Sequence, residues 1–128
     1  MRAAAGLETP RRARRLALGA MGERMAVRRL RREGYRIVAR NYRAAGAEID
    51  AIAIDRDTLV FVEVKTRLSL AAGRPEDSVH ELKQNRIRRA AAVYARTRAM
   101  EDWPMRFDVV AISGRDGRWQ LEIIKDAF

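Results

Sequence analysis

A chain of 128 residues can bury one core without staples, and the absence of cysteine excludes disulfides and thiolate metal sites. Its formal net charge of +10 is lopsided: residues 1–43 hold 13 arginines against 3 acidic residues, whereas residues 44–128 balance 14 basic with 14 acidic side chains. Such asymmetry points to an anionic partner, nucleic acid before membrane, because the apolar face lacks the bulky aromatics of an interfacial helix; no run approaches the roughly 18 apolar residues of a membrane span. The chain reads as a soluble, cytoplasmic, single-domain protein over residues 9–128, with residues 1–8 disordered for want of any periodic pattern.

Thr9-Pro10 reads as an N-cap followed by proline in the first turn, and Gly34 as the stop, which predicts one long helix between them. Leu16, Ala20, Glu23, Val27 and Leu30 recur at three- and four-residue steps, so Glu23 falls inside the apolar stripe. That is an odd place for a surface glutamate. Its small neighbours Gly19, Gly22 and Ala26 would let another backbone or a ligand approach, and Glu23 itself reads either as a ligand or as a partly buried partner of one of the many arginines. Residues 35–40 alternate as a strand that ends at Asn41-Tyr42-Arg43.

Residues 46–67, GAEIDAIAIDRDTLVFVEVKTR, read as two strands joined by a turn at Asp55-Arg56-Asp57-Thr58. In the second strand Phe61, Glu63, Lys65 and Arg67 share one face while Val60, Val62 and Val64 share the other. A hairpin symmetrical about Arg56 and Asp57 sets Asp50 opposite Glu63 and Glu48 opposite Lys65. Two carboxylates facing each other at about 4.5–5.5 Å between Cβ atoms repel unless something neutralises them. A divalent cation would, and Mg²⁺ commonly uses one or two protein carboxylates plus phosphate oxygens, with Lys65 standing beside it. The alternative is an exposed face on which Glu48 pairs with Lys65 and Asp50 is solvated.

Residues 68–75 read as a loop, and Ser78-Val79-His80-Glu81 as a capping box opening a second helix that runs to about Arg98. Val79, Leu82, Ile87, Ala90, Ala91 and Tyr94 supply its buried stripe, bordered by Lys83, Arg86 and Arg89. His80, the one histidine, has no second histidine with which to hold a metal and receives no catalytic role. Residues 105–113 and 118–124 read as strands about a turn at residues 114–117. Asp108 is expected to be structural, capped by a neighbouring arginine, and Phe128 to tuck against the sheet. The element order αβββαββ predicts an α/β sandwich around a mixed sheet flanked by helices, the crossover helix making the third and fourth strands parallel.

That order, with Asp50, twelve residues, then Glu63-Val64-Lys65, resembles the PD-(D/E)xK nuclease superfamily and its restriction-endonuclease-like core. Closer still, GERMAVRRLRREGYRIVARNYR, GAEIDAIA, FVEVKTR, RFDVVAI and the closing AF resemble the YraN family of small bacterial proteins, which are similar to archaeal Holliday junction resolvases. The resemblance implies a Mg²⁺- or Mn²⁺-dependent endonuclease acting on DNA, branched or otherwise distorted, with RNA a weaker alternative. It assigns Asp50, Glu63 and Lys65 to the motif and Glu23 to the glutamate of the first helix, so that Asp50, Glu63 and Glu23 would hold the metal. Ile49 stands where the superfamily often has proline. Arg40, Arg43, Arg67, Lys83 and Arg86 are the candidate phosphate contacts outside the first helix, Lys83 lying where some members place an additional polar residue. A two-fold homodimer is expected by the same resemblance. A binding or assembly protein that keeps the fold without cutting is the competing expectation.

Overall fold

The computed structural model describes residues 9–68, 79–115 and 117–128 of the chain. The predicted disordered N-terminus, most of the predicted loop at residues 68–75, and Ser78 lie outside them. The observed order is α1 (Pro10–Arg32), β1 (Arg36–Ala44), β2 (Ala47–Asp55), β3 (Thr58–Arg67), α2 (Glu81–Thr97), β4 (Met105–Arg115) and β5 (Arg118–Ile124). The five strands form one sheet in the order β1-β2-β3-β4-β5, antiparallel throughout except for the parallel β3–β4 pair. The parallel step is the one that α2 bridges, since parallel neighbours need a long crossover. Among the described residues no helix is long and apolar enough to cross a membrane.

Helix α1 begins and ends as its sequence requires. The Thr9 hydroxyl accepts from Arg12 N–H at 3.1 Å, and Pro10 occupies the first turn, where no donor is needed. At the other end Gly34 takes φ 93°, Gly34 N–H donates to Arg31 C=O and Tyr35 N–H to Leu30 C=O. This closes a Schellman motif in which Tyr35 and Leu30 enter the same core cluster. Tyr35 therefore belongs to the helix stop, and β1 starts one residue later than predicted. The strand also runs past Asn41 to Ala44, with a register shift between Ile37 and Ala39 and Asn41 at φ 51°. Asparagine tolerates that left-handed conformation, so the strand bends there instead of stopping. Ala45-Gly46, both at positive φ, then form the tight turn into β2.

The predicted β2–β3 register is the observed one from Ala51↔Val62 to Asp55↔Thr58, around a two-residue loop at Arg56-Asp57. Alternation along these strands supplies two cores, one per sheet face. Ala51, Ala53, Val60, Val62 and Val110 pack with Ala26 and Leu30 of α1, whereas Ile52, Phe61 and Val109 pack with Ile87, Ala90, Ala91 and Tyr94 of α2. The buried stripe of α1 is Gly22, Ala26, Val27 and Leu30. Leu16 is exposed, Ala20 too, and Glu23 sits at the stripe's margin. The seating is rotated because Gly22 brings the helix against Thr66 of β3: a Cβ on Gly22 would collide with the Thr66 hydroxyl. Gly19 meets nothing within 4 Å.

Helix α2 starts at Glu81 with His80 at the N-cap and no cap bond from its side chain, two residues after the predicted cap Ser78, which lies outside the described residues. Leu82 is exposed rather than buried, because the stripe starts at Ile87, and Gln84 instead ties the first turn down by donating to Val79 C=O at 2.7 Å. Strand β4 extends two residues into the predicted turn, to Arg115, pairing Gly114 with Trp119. The indole covers the space a side chain at Gly114 would fill. Phe128 stacks on Phe107 with ring centroids 5.4 Å apart, as expected.

Asp108 is fully buried and fully served. It accepts from Tyr35 Oη, Asp126 N–H and two nitrogens of Arg106, all at 2.9–3.0 Å, and Arg106 also reaches Asp55 at 3.0 Å. Burial and the Asp108 carboxylate push the Tyr35 hydroxyl well above its usual range, which keeps it a donor. Asp108→Ala should cost about 3–5 kcal/mol in urea unfolding, because it takes the acceptor from the buried Tyr35 phenol and leaves the half-buried Arg106 guanidinium with Asp55 as its remaining carboxylate; a cost under about 1 kcal/mol would deny the network that weight. Gly22→Ala should lose about 1–3 kcal/mol through overpacking, while Gly19→Ala should gain about 0.5–1 kcal/mol from helix propensity; equal effects would contradict the close α1–β3 seating.

Candidate active site

Hydrogen-bonded pairing of β2 with β3 runs from the turn only as far as Ala51↔Val62. Beyond it β3 stays paired with β4 as far as Arg67↔Ser113, while β2 stays with β1. Where the two separate, Val64 N–H donates to Asp50 Oδ2 at 2.7 Å, so a side chain takes the place of a ladder bond. The opening between the strands is a cleft of about 520 Å³, lined on α1 by Arg15, Leu16, Gly19 and Glu23, on β1 by Asn41, on β2 by Glu48 and Asp50, and on β3 by Glu63, Lys65 and Thr66. Glu23, Asp50, Glu63 and Lys65, distant in sequence, thus face one cavity.

Glu63 is buried on the face it shares with Phe61, the α2 side of the sheet. Lys83 reaches down from the first turn of α2 and places Nζ 2.6 Å from Glu63 Oε2. Lys83 and Glu63 form a close ion pair in which Oε2 is fully buried and falls short of the geometry of a directed hydrogen bond. Asp50 is hydrogen-bonded to Glu63 as well. Burial, then that hydrogen bond and the like charge of Glu63, push the Asp50 carboxyl up to about 9, against the opposing donation from Val64. The Asp50 proton at neutral pH stabilises two adjacent carboxyl groups that could not both stay ionised unaided.

The two lysines are driven apart. Burial, then the neighbouring Lys83 amine, lower Lys65, with Glu63 and Asp50 opposing. Burial also works to lower Lys83, but its contact with Glu63 outweighs this and the net shift is upward. Positive charge is therefore held most firmly on Lys83, and Lys65 is the more easily deprotonated amine. A raised carboxyl beside two lysines shifted in opposite directions is an arrangement found at sites that move protons or bind a charged group.

Sequence expectations are met here in part. The predicted closeness of Asp50 and Glu63 holds, while Glu48 pairs across the β1–β2 hairpin with Arg43 at 3.5 Å instead of with Lys65. Arg43 is thereby engaged at an exposed ion pair. Lys83 belongs to the carboxylate site itself. Arg67 is half-buried at the end of β3, Arg86 is exposed on α2, and Arg40 lies away from the cleft beside α1. Glu23 lines the cleft, yet among the described residues no three carboxylates stand close enough to hold an ion by themselves. Arg15, Asn41 and Thr66 were not singled out by sequence. Arg15 had a signal, the four-residue steps Arg15, Gly19, Glu23 that set it on the face of Glu23; Asn41 gave only its tolerance of positive φ.

The fold and site define an α/β protein with paired carboxylates and a lysine where two sheet strands part. Residues 22–112 match the profile of uncharacterised protein family UPF0102. UPF0102 proteins of Syntrophus aciditrophicus (46% identical over 113 residues, 88% of this chain and 89% of the relative) and Alkaliphilus oremlandii (43% over 113 residues, 87% and 97%) align along most of their length. UPF0102 protein CT2262 of Chlorobaculum tepidum is 48% identical over 119 residues, 87% of this chain and 91% of its own. The chain belongs to the UPF0102 family, the family level at which the YraN resemblance holds.

A raised Asp50 fixes the sign of a pH effect. Its folded value of about 9 lies above the ordinary 3.8, so between these the folded state holds a proton that the unfolded chain has released, and stability falls as pH rises through that window. Asp50→Asn, which keeps both hydrogen-bonding roles without a charge, should raise Tm in EDTA by an amount that grows from about pH 4.5 to about pH 8.5, roughly this window. A constant difference across thermal melts at these pH values would contradict the raised carboxyl.

Proposed function

We propose that this protein is a Mg²⁺- or Mn²⁺-dependent endonuclease of the restriction-endonuclease-like class that hydrolyses phosphodiester bonds of DNA, branched or otherwise distorted. The observation that carries the reading is the buried Asp50–Glu63 pair in one cleft with Lys65. The residues fit a divalent ion. Two adjacent carboxyl groups supply hard oxygen ligands, Glu63 Oε2 has no hydrogen-bond partner, and the Lys83 ammonium beside it marks a place that calls for a cation. Asp50 and Glu63 would hold the ion, with Glu23 reaching it directly or through water.

Bound there, the ion supplies Lewis-acid polarisation of a phosphate oxygen and a water of lowered pKa. The chain's own residues do the rest. Lys65, the more readily deprotonated lysine, orients the attacking water or donates to the phosphate oxygens as charge grows on them. Val64 N–H fixes the Asp50 carboxyl, and so the angle at which its other oxygen meets Glu63 at the cleft. Arg15, at the cleft's α1 wall, offers a guanidinium fork to a neighbouring phosphate. Water adds to phosphorus, the bond to the leaving oxygen breaks, and the products are a phosphate monoester and a hydroxyl end.

A binding protein that does not cut has one observation in its favour: Lys83 and a proton on Asp50 already neutralise the acidic pair without an ion. Cleavage of a labelled four-way junction, a flap and a linear duplex separates the readings. The nuclease cuts with Mg²⁺ or Mn²⁺ and stops in EDTA, and Asp50→Asn and Lys65→Ala each lose about 10²-fold or more in rate. Intact DNA with every metal and substrate, bound equally by wild type and both variants, would establish the binding protein instead.

A further inference from the structure

The surplus arginines of α1 do not all serve the cleft. Arg24, Arg28, Arg31 and Arg32 on the second half of the helix, together with Arg40 of β1, line a separate open groove of about 480 Å³, floored by the buried Val27. None of these five guanidinium groups makes an ion pair or side-chain hydrogen bond among the described residues. Five uncompensated like charges on one face oppose folding slightly and demand an anion.

The groove and the cleft are built on neighbouring residues of the same helix and the same strand. Arg24 follows Glu23 in the helix and Arg40 precedes Asn41 in the strand, and Glu23 and Asn41 both line the cleft. From Arg24 to Arg32 the helix rises about 12 Å, the axial length of roughly three to four base pairs. Among the described residues no aromatic side chain lines the groove on which an unstacked base could lie, as in single-strand binders. Nor does it present the bulky apolar residues that would enter a lipid headgroup layer.

We infer that the α1–β1 arginine groove is a backbone-tracking surface for duplex DNA, seating the phosphates of the arm that leads away from the cleft. Guanidinium forks grip phosphate oxygens without reading bases, so this surface sets position and not sequence. The inference takes DNA as the substrate from the nuclease reading but needs no cutting.

The test is fluorescence anisotropy of a labelled duplex of about 20 base pairs, long enough to cover cleft and groove, in EDTA over a series of NaCl concentrations. Arg28→Ala/Arg31→Ala/Arg40→Ala should flatten the slope of log affinity against log salt by about 0.9 for each phosphate that the variant no longer neutralises. Arg11→Ala/Arg12→Ala/Arg14→Ala removes the same charge from exposed positions outside the groove and should change the slope less. Equal slope changes in the two triple variants, or none in the groove variant, overturn the inference. So does an oligo-dT strand that binds as tightly as the duplex. Thermal melts confirm that each variant is folded. A protein that binds as described but never cleaves leaves the groove standing and removes only the nuclease reading.

Discussion

The contact of Asp50 with Val64 N–H is where the sheet stops being only a scaffold. Up to Ala51↔Val62 the two strands satisfy each other's backbone groups; beyond it a carboxylate on β2 does so for β3. The substitution lets β2 and β3 part while β3 remains locked to β4, and the cleft exists because of that divergence. Helix α1 closes one side only because Gly22 allows it to lie against Thr66, and α2 closes the other by sending Lys83 to Glu63. Moving any of these contacts moves the walls of the same cavity.

Two buried acidic settings in one small protein show how structural and candidate functional carboxylates differ. Asp108 has all the donors it can use, from a phenol, a backbone N–H and a guanidinium, and its Arg106 partner is shared with Asp55. Glu63 is nearly as buried, sits beside a second carboxyl group, and keeps an oxygen without a hydrogen bond. Burial of charge is tolerable when every lone pair is met and costly when one is not. A site that leaves the cost standing is organised for something that arrives later.

Much of this was legible in the sequence because short-range rules governed it. Capping by Thr9 and Pro10, the Gly34 stop, the hairpin register and the α2 crossover follow from local chemistry and from alternation along strands. What escaped depended on contacts between distant segments. The rotation of α1 that exposes Leu16 and Ala20 is set by Gly22 meeting Thr66, far along the chain on β3. Glu48 chose Arg43 over Lys65 because β2 leaves β3 before reaching it, a divergence that strand periodicity does not encode. Lys83 read as a border of the α2 stripe and a candidate phosphate contact, and only the packing of α2 on the sheet brings it to Glu63. The closeness of Asp50 and Glu63, by contrast, was legible because the pair lies one step past the predicted register's last pair, Ala51↔Val62.

The basic half of the chain and the acidic cleft are one design in this account, with α1 carrying Glu23 to the cleft and arginines to the neighbouring groove. Its central claim is that the Asp50–Glu63 pair is built to hold a divalent cation. The most direct measurement is anomalous X-ray scattering from crystals of the protein soaked in Mn²⁺. The account predicts an anomalous peak in contact with the Asp50 and Glu63 carboxylates, with Lys83 drawn away from Glu63. Full Mn²⁺ occupancy elsewhere on the protein, with the Lys83–Glu63 pair intact and no peak in the cleft, would contradict it.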